Sequence, residues 1–352
     1  MEAMRVLMFT QKVDQDDDLL GVYHDWVKRL AEKVDQLIVI CLYQGRFSLP
    51  QNVRVYSLGK EAGAGRLKYI YNFYFLNFQF RKDFDLVFVH MNTEYVLLGW
   101  WLWKLWRKKI VLWFAHYRPT WQLRFAEKVV DQIVTSVPEA CNIKSKKVLA
   151  IGQGIDTTKF KYLNIESPRK SILFLGRISP VKNIGVLLDA FEEVASQDSD
   201  LTLTIVGSPT PADKGYFEKI SSRIEKSPFS KRIFYREKIP HPETTAVYNQ
   251  HELFINLTPT GSFDKTTLEA MASETPVIVS NRAYLRIFPL ELHKKLIFRE
   301  GDAIDLVRKI ISFFSLPKEE RRSIGESLRG IIAKNHNIDH LVDKLYSVFS
   351  SV

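Results

Sequence analysis

The chain of 352 residues has only two cysteines, Cys41 and Cys141, so we expect no disulfide framework and a reducing compartment. Its longest apolar run, Tyr95 to Trp103, is nine residues long and too short to cross a bilayer. The N-terminus lacks a signal-peptide plan and leads directly into an apolar strand. No internal repeat, Walker sequence, Gly-x-Ser-x-Gly sequence or metal-ligand spacing is present. These absences predict a cytoplasmic protein without a bound metal.

The positive charge is concentrated in the first part of the chain. Residues 1–165 hold 24 Lys and Arg against 16 Asp and Glu, a net charge of +8, whereas residues 166–352 hold 26 against 24, a net charge of +2. Two helices predicted over 67–80 and 94–106 are apolar around most of their circumference and have cations at their ends. Packing against a sheet accounts for most of their aromatic rings. The rings that packing does not account for, together with the cations, favour contact with an anionic surface at the inner face of a membrane or with a protein partner. Nucleic acid ranks last, because no recognition module accompanies the charge.

The order of the predicted elements indicates two α/β domains. A hydrophobic fraction of 46% with 26% charged residues is typical of a globular protein, and the length favours two domains. Apolar strands alternate with helices, which indicates parallel sheets covered on both faces. A linker over 163–170 separates the two runs of strands, so we predict an N-terminal domain over 1–165 and a C-terminal domain over 166–335. The last helix, 336–352, is expected to cross back to the first domain. Strands are predicted over 5–10, 36–42, 53–58, 85–90, 110–115, 132–136 and 148–152, and over 171–176, 201–207, 232–235, 252–257 and 276–280.

One segment of the second part has the plan of an anion site. An apolar strand over 252–257 leads through a Gly-Ser turn into a helix that starts near Thr266. A strand, a tight loop and a helix N-terminus place free backbone N–H groups and a positive dipole end at one point, which suits a phosphate or a sugar hydroxyl. Glu269 would face the bound group. The alternative is an ordinary corner, with Ser262 as the N-cap and Glu269 on a solvated face.

Two cations follow another strand of the same predicted sheet. Arg177 and Lys182 are five residues apart, between a strand that ends at Gly176 and the next helix. A guanidinium can fork onto phosphate oxygens and an ammonium can add a point charge. A solvated basic turn is the alternative. We expect both cations at the same carboxyl edge of the sheet as Glu269, where ligands bind in such folds.

Several segments resemble the retaining glycosyltransferases of family 4, which have the GT-B fold. Residues 174–182 read Phe-Leu-Gly-Arg-Ile-Ser-Pro-Val-Lys, residues 204–207 read Thr-Ile-Val-Gly, and residues 268–279 read Leu-Glu-Ala-Met-Ala-Ser-Glu-Thr-Pro-Val-Ile-Val. Residues 148–156 with Phe160 are similar to the family's interdomain segment, and residues 131–136 to one of its strands. The resemblance implies two Rossmann-like domains that face each other across a cleft. It also implies metal-independent transfer of a sugar from a nucleotide-diphosphate donor to a lipid-linked or glycan acceptor, with retention of the anomeric configuration.

The resemblance also implies roles for particular residues. Arg177 and Lys182 would hold the donor diphosphate and stabilise the leaving group, and Glu269 would accept hydrogen bonds from the ribose hydroxyls. His116 would lie beside the donor sugar. Gly21 matches the glycine loop of the first domain. The remaining contacts are expected from Ile239 beside the base and from the backbone of Phe263, Asp264, Lys265, Thr266 and Thr267 at the sugar and diphosphate.

Two departures from the family pattern stand out. Gly261 occupies the position of the first glutamate of the E-x7-E signature, and Asp264 stands where a glycine is usual. We therefore hypothesise that Asp264 takes over a sugar-hydroxyl contact and that the donor-sugar preference differs from that of a typical member. Two alternatives stay open: an epimerase or phosphorylase of the same fold, and a non-catalytic nucleotide-sugar-binding protein.

Overall fold

The computed structural model describes residues 4–17 and 20–352, and its chain divides into two compact units. The first unit comprises Met1–Gly154 and Ile338–Val352, and the second comprises Ile155–Asn337. Residues 1–3, at the N-terminus that we predict to lack a signal peptide, lie outside the described residues, as do residues 18 and 19. In the described ranges, no helix combines the length and the apolar character that a membrane span requires.

The boundary between the units differs from the sequence expectation at residues 155–165, which lie in the second unit. The reason is a local pairing between the two ends of that unit. Ile155 forms a parallel bridge with Asn337, and its backbone N–H donates to the carbonyl of His336 at 2.8 Å. The chain therefore enters and leaves the second unit at one place.

The first unit contains a seven-stranded parallel sheet in the order β3-β2-β1-β4-β5-β6-β7. Its inner strands are continuous apolar runs because helices cover both faces. The elements of this unit are β1 (Arg5–Val13), α1 (Val22–Ala31), β2 (Gln36–Gln44), β3 (Val53–Ser57), α2 (Arg66–Phe80), β4 (Leu86–His90), α3 (Thr93–Leu105), β5 (Lys109–Trp113), α4 (Trp121–Val129), β6 (Gln132–Thr135), β7 (Val148–Ala150) and the C-terminal α12 (Ile338–Ser351).

The C-terminal helix packs beside α1 in the first unit. Leu341, Leu345 and Phe349 lie four residues apart, which places them on one face of α12, and all three are buried in the core that contains Trp26. On the rim, Lys33, two residues after the end of α1, forms an ion pair of 2.7 Å with Asp343 of α12. An apolar stripe with a charged edge therefore docks this helix on the first unit.

The second unit contains a five-stranded parallel sheet in the order β10-β9-β8-β11-β12. In this order β8 and β11 are neighbours, so the connections that follow them leave the sheet side by side. The elements of this unit are β8 (Ser171–Leu175), α5 (Ile184–Ala195), β9 (Thr202–Val206), α6 (Lys214–Lys226), β10 (Ile233–Arg236), α7 (Thr244–Asn249), β11 (Leu253–Asn256), α8 (Lys265–Ala272), β12 (Val277–Val279), α9 (Leu290–Leu296), α10 (Ala303–Phe314) and α11 (Lys318–Asn335).

Helix α11 approaches the end of α8 so closely that one of its residues must be glycine. A Cβ atom on Gly325 would lie 2.2 Å from the carbonyl oxygen of Glu274. We expect Gly325→Ala to lower the free energy of unfolding by about 2 kcal/mol, because the backbone cannot yield without moving a helix.

Gly330 lies in the same helix and has nothing within 4 Å of the added Cβ, so it is the matched control. Gly330→Ala should raise the free energy of unfolding by about 0.5–1 kcal/mol, because alanine is the better helix former. Urea unfolding followed by far-ultraviolet circular dichroism compares the two variants. A Gly325→Ala protein as stable as the wild type would contradict the close approach of the two helices.

Candidate functional site

The second unit brings together two of the predicted site residues, Lys182 and Asp264. Lys182 Nζ forms an ion pair with Asp264 Oδ2, and the two side chains are only 14% and 15% exposed. The ammonium also donates to Thr258 Oγ1 at 3.0 Å. Asp264 Oδ2 accepts further hydrogen bonds from Asn256 Nδ2 at 3.0 Å and from Thr258 Oγ1 at 2.5 Å. The pair is thus a small polar network at the carboxyl end of β11.

The environment of Asp264 keeps its carboxyl group ionised. Burial alone would raise its pKa, but the charge of Lys182 and the hydrogen bonds from Asn256 and Thr258 outweigh burial, so the pKa lies below its ordinary value. Asp264 therefore neutralises Lys182 in this structure. The family resemblance implies that Lys182 faces a phosphate, and we hypothesise that Asp264 faces a sugar hydroxyl; that the two side chains contact each other is visible only in the structure. The sugar contact of Asp264 stays a prediction.

The loop from β11 to α8 delivers an uncapped helix N-terminus to the same place. Asp264 is the N-cap residue, with φ −71° and ψ 128°, but its side chain makes no capping hydrogen bond because its carboxylate turns to Lys182. The alternative with Ser262 as the N-cap is therefore wrong; Ser262 Oγ donates to Asp264 Oδ1 at 3.3 Å. Neither side chain hydrogen-bonds to the backbone N–H groups at the start of α8, which include those of Thr266 and Thr267.

The conformation of the loop accounts for the glycine at position 261. Gly261 has a φ of 103°, in the region that side chains rarely adopt, so a glutamate at this position would be strained. The next anchor is Phe263, whose buried ring packs 5.3 Å from that of Tyr284 and 5.7 Å from that of His336. The positive φ of this loop therefore favours glycine over glutamate at position 261.

Glu269 of α8 is buried and both of its carboxylate oxygens are engaged. It is 3% exposed, its Oε1 lies 3.1 Å from His241 Nε2, and its Oε2 accepts a hydrogen bond of 3.0 Å from Tyr248 Oη. Burial and then the charge of Glu269 raise the pKa of Tyr248 well above its ordinary value, so the phenol stays protonated and donates. The alternative that placed Glu269 on a solvated face is wrong.

Sequence reasoning missed His241 and Tyr248. Both signals were present in the chain: His241 follows Ile239-Pro240, the segment expected beside the base, and Tyr248 comes seven residues later. Two turns of helix separate such positions, so a helix through this segment places both side chains on one face. The sequence does not reveal that these two side chains contact the carboxylate of Glu269.

Arg177 lies at the carboxyl end of β8, beside the loop that follows β11. It is exposed, and it makes no hydrogen bond or ion pair with any residue that the structure describes. The loop that holds it is shaped by two glycines: a Cβ on Gly207 would lie 1.9 Å from the carbonyl oxygen of Gly176. Ile239 is half-buried in the loop that follows β10. Lys265 at the start of α8 is also half-buried.

The first unit holds the other two predicted residues, Gly21 and His116. Gly21 precedes α1, and a Cβ there would lie 2.4 Å from the carbonyl oxygen of Asp17, so the turn requires glycine. His116 is exposed three residues after β5, which ends at Trp113 rather than at residue 115 as predicted. Its Nδ1 accepts a hydrogen bond of 3.2 Å from the backbone of Arg118. Both residues follow carboxyl ends of strands, where ligands bind in parallel sheets.

Metal-ligating side chains are not clustered in the part of the chain described by the structure. Across residues 4–17 and 20–352, no group of three or more His, Cys, Asp or Glu side chains is placed to hold a metal ion. The site of the second unit instead combines two cations, a buried carboxylate and a helix N-terminus at the carboxyl edge of a parallel sheet. That combination is typical of proteins that bind phosphorylated ligands.

Comparison with known proteins gives the family. The model of the family described as glycosyl transferases group 1 matches residues 155–330, half of the chain and nearly all of the second unit. The chain belongs to this family.

Two curated relatives match over part of their length. Alpha-monoglucosyldiacylglycerol synthase of Streptococcus pneumoniae is 26% identical over 174 residues, which are 49% of this chain and 38% of the relative. Lipopolysaccharide 1,2-N-acetylglucosaminetransferase of Salmonella typhimurium is 24% identical over 194 residues, 52% of this chain and 48% of the relative. The matches therefore span less than half the length of these relatives.

A solved structure matches over the whole chain. HepE of Anabaena, in complex with UDP and glucose, aligns with a TM-score of 0.78 and 14% identity over 99% of this chain and 100% of that chain. The likeness confirms the α/β GT-B fold that the sequence resemblance implied.

Proposed function

We propose that the protein is a retaining glycosyltransferase. It transfers a sugar from a nucleotide-diphosphate donor to a lipid-linked or glycan acceptor. The observation that carries the proposal is the convergence, in the second unit, of Lys182, the uncapped start of α8 and the buried carboxylate of Glu269. Cations and a helix N-terminus suit the diphosphate, and a carboxylate suits the hydroxyls of a ribose.

The donor diphosphate must compete with Asp264 for Lys182. In the structure the ammonium already has a carboxylate partner, whereas Arg177 has none among the described residues. We infer that Arg177 makes the first contact with the diphosphate and that Lys182 exchanges Asp264 for a phosphate oxygen. Together with the positive end of α8, the two cations offset the charge that develops on the leaving group, which supports transfer without a metal. Transfer should therefore persist in EDTA.

The proposed chemistry requires orientation more than it requires a nucleophile from the protein. The bond between the anomeric carbon and the diphosphate oxygen breaks, and the acceptor hydroxyl oxygen bonds to the same face of that carbon. The hydroxyl proton passes to the departing phosphate oxygen, so charge and atoms balance. The protein supplies charge stabilisation at the diphosphate and a fixed position for the nucleoside.

An exposed apolar surface on α2 supports a lipid acceptor and a membrane location. Leu67, Tyr71, Phe75 and Phe78 are spaced by four, four and three residues, and their exposed fractions are 84%, 60%, 54% and 47%. This spacing places them on one side of α2, here called the aromatic face. The opposite side of α2 is buried in the core.

The surroundings of the aromatic face favour an anionic lipid surface. Trp101 of α3 is 45% exposed, and its ring lies 6.2 Å from that of Tyr74, which links the two helices. Cations lie at both ends of α2: Arg66 and Lys68 in its first turn, and Arg81 and Lys82 directly after its last residue. An apolar face bordered by cations is the plan of a helix that lies in a membrane interface. The names of the two relatives, one a synthase of a monoglucosyldiacylglycerol and one a lipopolysaccharide N-acetylglucosaminetransferase, support the same choice of acceptor.

Replacing two rings of the aromatic face tests this surface. We expect the wild-type protein to co-sediment with vesicles of phosphatidylglycerol and phosphatidylcholine more strongly than with phosphatidylcholine alone. Partitioning of the double variant Tyr71→Ser/Phe75→Ser onto the vesicles should fall about tenfold, because the variant lacks two exposed rings that would become buried in the lipid.

The matched control is Phe234→Ser/Leu290→Ser, which removes two side chains of the second unit that are 51% and 81% exposed. It should bind vesicles like the wild type. Equal vesicle binding by all three proteins would refute the membrane surface. A dimer that the α2 variant alone dissociates would assign the aromatic face to a second copy of the chain.

The transfer reaction itself tests the proposed function. The protein is incubated with a nucleotide-sugar and a lipid extract or oligosaccharide, and the anomeric configuration of the product is read by proton NMR. A product with the donor's anomeric configuration supports the proposal. Interconversion of the nucleotide-sugar without an acceptor would indicate an epimerase. Donor binding without any turnover would indicate a non-catalytic binding protein.

A further inference from the structure

Glu269 is contacted by His241, a residue for which the family resemblance implies no role. His241 begins directly after Pro240, and its carbonyl oxygen accepts a hydrogen bond of 2.7 Å from Thr244 Oγ1, which fixes its backbone at the start of α7. Its ring lies edge-on to that of Phe160, with centroids 5.4 Å apart. The hydrogen bond from Thr244 and the contact with Phe160 therefore hold His241 in place, with its Nε2 facing Glu269.

The contact between His241 and Glu269 has a defined polarity. An ionised carboxylate oxygen can only accept a hydrogen bond, so His241 Nε2 must carry the proton in the 3.1 Å contact with Glu269 Oε1. Tyr248 Oη, which is fully buried, donates to the other oxygen. Each carboxylate oxygen therefore has one protein donor and retains a lone pair. A carboxylate held at both ends cannot rotate, and its remaining lone pairs have fixed directions.

We propose that His241 is a positioning residue that fixes Glu269 for recognition of the ribose of the donor. The inference rests on the proposed function, because it assigns the ribose to Glu269. His241 is 17% exposed at its side chain, so it lies at the open side of the carboxylate, whereas Tyr248 closes the buried side. It also follows Ile239-Pro240, expected beside the base, and contacts the carboxylate expected to bind the ribose. Base and ribose recognition are then coupled through one side chain.

The proposal predicts an effect that depends on the ribose hydroxyls. Without the imidazole, Glu269 Oε1 loses its donor and the carboxylate can turn, but the diphosphate contacts of Arg177 and Lys182 remain. His241→Ala should therefore weaken binding of a ribonucleoside diphosphate by about tenfold, the cost of one hydrogen bond to a charged group. Binding of the 2′,3′-dideoxy counterpart should change little. A residue that merely stabilised the fold would weaken both ligands equally.

The experiment measures the dissociation constants of the ribo and dideoxy forms by calorimetry, for the tightest ligand among UDP, GDP and ADP. His241→Gln, whose amide can still donate, should stay within about threefold of the wild type. Tyr248→Phe keeps the ring and removes the second donor, so it should also reduce the preference for the ribo form. His293→Ala is the matched control: His293 Nε2 contacts the Phe288 carbonyl oxygen at 2.8 Å in another helix, and its loss should leave the preference unchanged.

The outcomes separate this inference from the proposed function. A wild-type protein that binds none of the nucleoside diphosphates would overturn the proposed function itself. A wild-type protein that binds them without preferring the ribo form, or whose preference His241→Ala leaves intact, would overturn the role of His241 alone. A preference that falls in His241→Ala and returns in His241→Gln supports the positioning role.

Discussion

Lys182→Ala is expected to reduce kcat/KM for sugar transfer by about 10²-fold to 10³-fold, the usual effect of removing one group that stabilises charge in a transition state. Lys182 is the cation that the structure places against the loop before α8, held by Thr258 and Asp264. Without it, the developing charge on the leaving diphosphate would rely on Arg177 and the helix alone. Steady-state kinetics with the donor varied measures the loss.

Lys170→Ala is the control for this substitution. Lys170 also forms an ion pair with an aspartate, Asp198, but it lies just before β8, at the opposite end of the strand from Arg177 and Lys182. It should keep nearly full activity. Because Lys182→Ala leaves Asp264 without its counter-ion, the double variant Lys182→Met/Asp264→Asn checks folding with both charges removed. If Lys182→Ala stayed within threefold of the wild type, or if Lys170→Ala lost as much, Lys182 would have no role at the diphosphate.

Asp264→Ala is expected to lower the free energy of unfolding at neutral pH by about 3 kcal/mol, at the lower end of the cost of breaking a buried ion pair. The substitution leaves the ammonium of Lys182 without its counter-ion and the amide of Asn256 without its acceptor. All seven tryptophans lie in the first unit, so tryptophan fluorescence follows that unit while circular dichroism follows both. Urea unfolding should show the loss by circular dichroism. A change below about 0.5 kcal/mol, as for an ordinary surface site, would contradict the buried network.

The same network predicts how stability depends on pH. The pKa of Asp264 is lower in the folded protein than in the unfolded chain, so its contribution to stability is complete above the unfolded value of about 3.9. It is lost as the pH falls through the folded pKa. The difference between the wild type and Asp264→Ala should therefore be constant near neutral pH and shrink below about pH 4. A difference that does not change with acidification would show that the carboxylate charge is not responsible.

Asp264→Ala also tests the hypothesis on donor choice. If Asp264 contacts a sugar hydroxyl once Lys182 has turned to the diphosphate, the variant should change kcat/KM by different factors for different donor sugars. An unchanged kcat/KM for every donor tested would end that hypothesis and leave Asp264 with its role as the counter-ion of Lys182.

Much of the fold could be predicted because its signals are local. Continuous apolar strands separated by helices gave the order of the elements and the parallel sheets, and most predicted ends lie within a few residues of the observed ones. The largest difference in the first sheet is β1, which continues to Val13 although Gln11 and Lys12 are polar. Lys12 and Val13 pair with Tyr43 and Gln44 of β2, and only that pairing extends the strand. Local polarity could not reveal it.

The candidate site divides in the same way. Arg177, Lys182 and Glu269 could be selected because their residue types follow strands and open helices, which is a local pattern. The contact between Lys182 and Asp264 joins residues 82 positions apart, and that between His241 and Glu269 joins residues 28 positions apart. The sequence shows that these charged and polar side chains are present, but it does not show which of them contact each other. The partners decide whether a cation faces a ligand directly or must first leave a carboxylate.

We propose above all that the second unit binds a nucleotide-sugar through Lys182. A thermal-shift panel of UDP-, GDP-, ADP- and TDP-sugars, run on the wild type and on Lys182→Ala, tests it most directly. At least one nucleotide-sugar should raise the unfolding temperature of the wild type, and the increase should be largely lost in Lys182→Ala. No increase with any of the four, or an equal increase in both proteins, would contradict the assignment of the donor site.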